Sequence, residues 1–269
     1  MESVVVSVDG IAVHIDGDGA DTLVFLHGWP DTFRLWDATV AALKGRYRCV
    51  RFTLPGFDLD LPARGTSLEQ MTALLARIVD DVSPGKSVTL VLHDWGCAFG
   101  YEFAAQHPEK VARIVAIDVG DHNSDALRRT LSAKAKVQVF VYQFWLAIAW
   151  YMGGALGDRM TRGMARALRC RTDPKTITCQ MNYPYSMKWF GAFGGWGGAR
   201  HVDPHCPVLY TYGERKLFMF HSDQWLKRLA ARPGSKVQGF ATGHWVMVQQ
   251  PEALNACLLE WLDALPTVV

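Results

Sequence analysis

The sequence predicts an α/β protein: a mostly parallel sheet flanked by helices and interrupted by a helical insertion. Two patterns carry that expectation. Over the first 121 residues, short apolar runs ending in Gly, Pro or Asp alternate with stretches of helical periodicity, the mark of strands covered by helices on both faces. From about 122 to 200 strand runs vanish, aromatics and glycines crowd together, and strand character returns only afterwards. The expected division is a core of residues 1–121 and 201–269, with residues 122–200 inserted as a helical cap. At 269 residues, 49% apolar and 20% charged, the chain suits one domain of above-average size.

In chain order, "SVVVSVDGIAVHIDG" reads as a hairpin, because "VDG" is turn chemistry between β-branched runs. "TLVFLHGWP", "YRCVRFTLPGF", "SVTLVLHDWG" and "VARIVAIDVGD" are apolar strands closed by breakers. "SLEQMTALLARIVDDV" predicts a helix over 67–82 with Ser67 as its N-cap, and a second helix spans about 97–107. Strands resume at "CPVLYTYGE" and "SKVQGFATGHW", and "PEALNACLLEWLDAL" closes the chain as an amphipathic helix. Inside the insertion, residues 137–156 carry no formal charge over a length that would suit a membrane crossing. Gln138, Tyr142, Gln143 and Tyr151 interrupt the run and a Gly pair closes it, so it is read as a cap helix lining a substrate cavity and not as a span.

Net charge is +2 with acids and bases interspersed, which points away from nucleic acid and highly charged substrates and toward a small apolar substrate. A homodimer stays open. Six cysteines (Cys49, Cys97, Cys170, Cys179, Cys206, Cys257) include no CxxC pair, and "CRTDPKTITC" spaces two of them too far from other ligands for zinc. No metal or organic cofactor is expected. The opening "MESVVVSVDG" lacks the regions of a signal peptide, so the expectation is a cytoplasmic enzyme with reduced thiols.

Polar residues at strand ends are where ligands meet open α/β sheets, and here they are His27, Asp94, Asp118 and His244. Singly, such an Asp ordinarily caps a turn and such a His ordinarily sits satisfied near the surface; together they point to chemistry. A strand running into a Gly-containing turn commonly exposes a Ser nucleophile, but this one exposes Asp94. An ionised carboxylate can displace a leaving group from saturated carbon without a base. The resulting ester then needs a His to activate water, a second carboxylate to orient that His, and two N–H donors for the oxyanion. His244 suits the base, and the backbone amides of Trp29 and Trp95 suit the donors.

"HGWP" (27–30), "LPGF" (54–57), "HDWG" (93–96) and "GHWVMVQQPE" (243–252) occur in the order of the epoxide hydrolase and haloalkane dehalogenase branch of the α/β-hydrolase fold, which the chain resembles over most of its length. The resemblance implies Asp94 as nucleophile, His244 as base and a cis peptide before Pro30. The chain departs from the pattern in three places. Leu92 stands two before the nucleophile, where such elbows carry a small residue. The usual acid position falls in "YGERKLF", at Arg215 or Lys216, so the acid is expected at Asp118, with Asp121 and Glu214 in reserve. Trp29 occupies the position where one class of dehalogenase carries Asn.

In that branch the cap separates the reactions: epoxide hydrolases use a pair of cap Tyr hydroxyls, while dehalogenases cradle halide with indole or amide N–H groups. Tyr142 lies 48 residues after Asp94, and Tyr183 and Tyr185 lie 61 and 59 before His244, spacings like those of the epoxide hydrolase pair. The expected reaction is conversion of an apolar epoxide to a vicinal diol through an aspartyl ester, by Asp94, His244 and Asp118 with Tyr142 and either Tyr183 or Tyr185. His27, Trp145, Trp189 and Trp245 are the expected substrate contacts. The alternatives are hydrolytic halide displacement, with Trp95 and either Trp150 or Trp189 holding the halide, and a non-catalytic receptor or carrier for a small molecule.

Overall fold

In the computed structural model, which describes residues 3–59 and 65–266, β1 (Val4–Val8) and β2 (Ile11–Asp16) form the expected antiparallel hairpin. Asp9 and Gly10 turn it with φ of 51° and 78°, the left-handed pair such a two-residue turn requires. β3 (Thr22–Leu26), β4 (Arg48–Phe52), β5 (Val88–His93), β6 (Val111–Ile117), β7 (Val208–Gly213) and β8 (Lys236–Phe240) complete one eight-stranded sheet in the order β1-β2-β4-β3-β5-β6-β7-β8. From β4 to β8 every pairing is parallel. The register sets Leu26 beside Leu92, His93 beside Ile117, Ile117 beside Thr211 and Gly213 beside Phe240. Six parallel strands thus end along one edge, and the loops that follow them share one side of the molecule.

Both faces of the sheet are covered, as continuous apolar strands demand. α1 (Asp37–Leu43) and the C-terminal α10 (Pro251–Asp263) bury Leu43, Leu258 and Trp261 against one face. α2 (Leu68–Val82) and α3 (Trp95–Gln106) cover the other through Met71, Leu75, Ile78, Phe99 and Phe103. Met71, Leu74, Leu75, Ile78, Val79 and Val82 repeat at three- and four-residue spacing, so α2 buries a single stripe. Its start is fixed by a capping box in which the Ser67 hydroxyl and the Gln70 amide satisfy each other's backbone N–H. α3 begins at Trp95, two residues before the position expected from periodicity.

Between β6 and β7 the chain leaves the sheet in a helical excursion: α4 (Asp125–Thr130), α5 (Ala133–Met152), α6 (Gly154–Ala167) and α7 (Tyr183–Phe190), with short 3₁₀ turns between. α5 and α6 contain most of the apolar 137–156 run, broken at Gly153 with φ of 60°. Among the described residues no helix is long and apolar enough to cross a membrane. Trp145, Tyr151 and Met152 face outward from α5. After β7, α8 (Asp223–Ala230) packs Trp225 and Leu229 into the core, and the four-residue α9 (Val246–Gln249) leads into α10.

Leu92, the large residue at the elbow, is accommodated by a glycine one strand-to-helix turn away. A Cβ on Gly100 of α3 would lie 2.6 Å from Leu92 Cδ1. The side chain at 92 therefore occupies the volume that the helix leaves empty at 100.

Candidate active site

β5 delivers Asp94 to the carboxyl edge of the sheet in a conformation that side chains avoid, φ 52° and ψ −121°, and α3 starts at the next residue. A non-Gly residue in that region costs on the order of 1–3 kcal/mol. Close contacts hold it there: a Cβ on Gly96 would come 2.6 Å from the His27 carbonyl oxygen, and one on Gly28 would come 2.5 Å from the Trp95 nitrogen. Only glycine lets the loop after β3 approach the elbow so closely.

That approach places the Trp29 amide, in a chain whose Trp29–Pro30 peptide is cis, to donate to Asp94 Oδ1 at 2.7 Å. The Trp95 amide belongs to the first turn of α3, where backbone N–H groups have no helical acceptor. The Trp29 amide thus binds the carboxylate, and the Trp95 amide next to it is free of any helical acceptor. His244, in the loop after β8, reaches the same group from the other side, its Nε2 3.4 Å from Asp94 Oδ2.

His244 Nδ1 donates to Asp118 Oδ2, and Asp118 follows β6 with φ of 71°. The second oxygen of Asp118 accepts from the Gly213 amide at 2.9 Å and pairs with the Lys216 ammonium. Burial alone would raise the Asp118 pKa, but Lys216 and His244 outweigh it and keep the group ionised. Asp94 is likewise held below the usual carboxylate range, its burial outweighed by His244 and the Trp29 amide. Burial pulls His244 down, yet its contacts with Asp118 and Asp94 dominate and lift its pKa to about 9. His93, its ring tilted by 43° against that of His244 at 4.5 Å, is pushed to about 3 by burial and by the charge beside it, so it adds no second cation.

Above this group lies a cavity of about 740 Å³, within the range of small-molecule sites. Asp94, Trp95, Tyr142, Tyr185, Trp189 and Trp196 line it. Tyr185 stands edge-on to Trp95 at 5.0 Å and to Tyr142 at 6.2 Å, and Trp196 stacks on Trp95 at 5.4 Å. The Tyr142 hydroxyl accepts from Gln143 Nε2 at 3.0 Å, which leaves its own proton to donate. Burial, reinforced by the Asp94 charge, keeps both phenols protonated far above neutral pH. Among the described residues no cluster of His, Cys, Asp or Glu could hold a metal ion.

An elbow carboxylate, a following histidine and a second strand-end acid on this sheet order are joined by a sequence match: residues 23–256 fit the alpha/beta hydrolase family. The chain belongs to that family. It is similar to epoxide hydrolase 1 of Caenorhabditis elegans, 25% identical over 93% of this chain and 67% of that protein. It is also similar to a haloalkane dehalogenase of Mycolicibacterium smegmatis, 33% identical over 39% of this chain and 35% of that one. In fold it matches an epoxide hydrolase from Bacillus megaterium solved with a naphthyloxy-propane-diol product, at a TM-score of 0.72, 18% identity, and 97% and 100% coverage of the two chains.

Within this alpha/beta hydrolase, the residues singled out from sequence divide by position. Asp94, Asp118, His244, Trp29 and Trp95 meet at the elbow, and Tyr142, Tyr185 and Trp189 face the cavity. The other expected substrate contacts do not line it. Tyr183 is fully buried between Phe57 and Phe193, because two residues along α7 turn it away from Tyr185. His27 supports the loops, its Nε2 accepting from the Leu54 amide at 2.9 Å. Trp245 donates to buried Asp31 at 2.9 Å, and Trp145 lies on the outer face of α5 with its indole on the Met160 carbonyl. Of the reserve acids, Asp121 accepts from the Ser222 amide and hydroxyl, and Glu214 is exposed beside Gly239. Neither touches His244.

Sequence reasoning missed Trp196, whose stacking on Trp95 comes from a Gly-rich stretch with no periodicity to place it. It also missed Asn182, which accepts from the Trp29 indole at 2.8 Å and ties the loop after β3 to the excursion. Lys216 was visible as the residue at the usual acid position, but its pairing with Asp118 was not.

Proposed function

We propose that the protein is an epoxide hydrolase that works through an ester of Asp94, with the helical excursion of residues 122–200 acting as its cap. The observation that carries the reading is that Tyr142 and Tyr185 share one cavity with an elbow carboxylate already engaged by His244. A carboxylate oxygen of Asp94 attacks an epoxide carbon, the carbon–oxygen bond breaks, and the departing oxygen takes the proton of Tyr142 or Tyr185. His244 Nε2 then removes a proton from water, whose oxygen adds to the ester carbonyl carbon. The Trp29 and Trp95 amides hold the oxyanion, and collapse expels the diol oxygen, which takes the proton from His244. The remaining water proton returns to the tyrosinate, so epoxide plus water becomes a vicinal diol.

Formation of the ester also changes the base. While Asp94 is anionic, it helps keep His244 charged. Alkylation removes that negative charge, so His244 loses the part of its elevation that Asp94 supplies and shifts toward the neutral form while Asp118 still holds it.

One observation favours a second reading, halide displacement with the same three residues. The indole N–H groups of Trp95 and Trp189 are buried without a hydrogen-bond acceptor among the described residues, and both side chains line the cavity. Intact-mass measurement of His244→Gln separates the two, since the variant can form the ester but cannot hydrolyse it. Styrene oxide is expected to leave an adduct on Asp94 and 1-bromobutane to leave none. The reverse outcome selects the dehalogenase, and no adduct from either ends the covalent proposal.

A further inference from the structure

Interspersed charge holds for the chain as a whole but not for its helical excursion. Residues 122–200 carry twelve Lys or Arg against three Asp or Glu, whereas the rest of the chain carries sixteen against twenty-three. Two of those three acids are taken up locally, Asp125 by Arg128 and Asp158 by Arg162. Arg129, Lys134, Lys136, Arg159 and Arg166 are exposed and have no ion-pair partner among the described residues. The same segment also holds most of the exposed apolar bulk. Of the sixteen large apolar side chains exposed among the described residues, ten lie between Val137 and Phe193.

On α5 these side chains form a stripe. At 3.6 residues per turn, Phe140, Phe144, Val137, Val141, Met152 and Trp145 follow one another around an arc of about 140°. Tyr151 and Ile148 fall inside the arc, no charged or amide side chain does from Val137 onward, and Lys134 sits on it one turn earlier. The buried Gln143, Leu146 and Ala149 lie on the far side of the helix. An amphipathic helix turns its apolar stripe toward the core, but this one faces out, with Val137, Val141, Tyr151 and Met152 each more than half exposed. Phe144 and Tyr151 carry it onto α7 by meeting the exposed ring of Phe190 at 5.6 and 4.9 Å. From Val137 to Met152 the stripe runs about 22 Å. A continuous apolar face of that length on a soluble fold marks a docking surface.

Charge decides what docks. A second copy seated through this face would set one positive excess against another, whereas an anionic lipid surface matches the bases while its acyl region takes the stripe. Trp145 and Tyr151 are residue types that settle at headgroup depth, an apolar ring with a polar tip. The Trp145 indole donates to the Met160 carbonyl of α6 at 3.2 Å, which pins its ring to the outer side of α5. Phe140 is exposed and also lines the cavity, as do the exposed Arg128, Lys136 and Lys188, so the stripe and part of the positive excess meet at the cavity's opening. We propose that the outer face of α5, with Phe190 of α7, seats the protein on an anionic lipid bilayer, the helix lying along the surface without crossing it. The surface stands whichever reaction Asp94 performs.

Vesicle flotation tests it. The wild-type protein is expected to bind phosphatidylcholine vesicles that contain about 30% phosphatidylglycerol at least about ten times more tightly than vesicles of phosphatidylcholine alone, and to lose that preference in about 1 M sodium chloride. Val141→Asp with Met152→Asp sets two carboxylates on the stripe and is expected to weaken binding to the anionic vesicles at least about ten-fold. Leu217→Asp, exposed in the loop after β7, keeps the wild-type affinity. A thermal melt shows that each variant is folded, and Val137→Asp, at 61% exposure, repeats the test should the double variant not fold. Wild-type protein that ignores the anionic vesicles, or binds both kinds equally, overturns the proposal, and so does undiminished binding by the folded stripe variants. A wild-type dimer in sedimentation velocity that the double variant dissociates, with no flotation, assigns the face to a second copy and overturns the lipid surface.

Discussion

Lys216 sets how strongly Asp118 acts on His244, and replacing it with methionine measures that influence. The ammonium and the imidazole bind opposite oxygens of one buried carboxylate. The two cations therefore stand about 6 Å apart, the width of a carboxylate with a hydrogen bond on each side. At an effective dielectric of about 20, their repulsion is about 2.8 kcal/mol, equivalent to about two pH units. Water that enters beside the shorter methionine dipole weakens the change, so we expect the His244 pKa to rise from about 9 by about one to two units in Lys216→Met. The assay is an NMR titration of the His244 imidazole, which needs no substrate. Removing one partner of a buried pair costs about 3–5 kcal/mol, so a thermal melt accompanies each titration to show that the variant is folded. Lys236→Met, which breaks the outer pair with Glu260, is the control. A midpoint that stays in place or falls in folded Lys216→Met protein refutes the reasoning.

Gly28→Ala puts a methyl group 2.5 Å from the Trp95 nitrogen and against Asp94, so turnover is expected to fall at least about 100-fold, as when an oxyanion donor is lost; a loss under ten-fold in steady-state assays counts against the placement of the two amides. Stability should peak near pH 6.5. His27, His93, His122 and His221 are lowered by burial to about 4, 3, 4 and 4, so the unfolded chain binds more protons below pH 6.5 and stability is lost as pH falls toward those values, by about 1.4 kcal/mol per pH unit for each histidine. His244 works the other way: its contribution is complete below pH 6.5 and is lost as pH rises through about 9. Urea unfolding from pH 5 to 9 should therefore show a steep acid limb and a shallow alkaline one, and His93→Phe should flatten the acid limb.

Strands, the hairpin and the Ser67 cap were legible because their causes are local: β-branched runs, an Asp–Gly turn, and a hydroxyl three residues before a glutamine. The start of α3 was misplaced because the elbow is held by tertiary contacts, the Gly96 and Gly28 approaches, that no window of sequence contains. Spacing alone could not separate Tyr183 from Tyr185. On a helix two positions differ by about 200° of rotation, and only the packing of α7 against Phe57 and Phe193 shows which ring is turned from the cavity. The missing acid in "YGERKLF" was a correct sign of altered wiring, but that Lys216 folds back onto Asp118 depends on strands β6 and β7 lying side by side. Trp245 and Trp145 looked like substrate contacts because an aromatic residue carries no mark of whether its indole will find a protein acceptor, and both did.

Leu92 and Gly100 share one parcel of volume, and that sharing ties their divergence together. Truncating Leu92 first opens a void, at a cost of about 2–5 kcal/mol, which a methyl group at 100 could then partly refill. Enlarging Gly100 first forces a methyl group into a space still filled by Leu92. The two substitutions end at the same sequence through different intermediates, one with a void at the elbow and one overpacked there, so their costs are expected to be coupled and not to add.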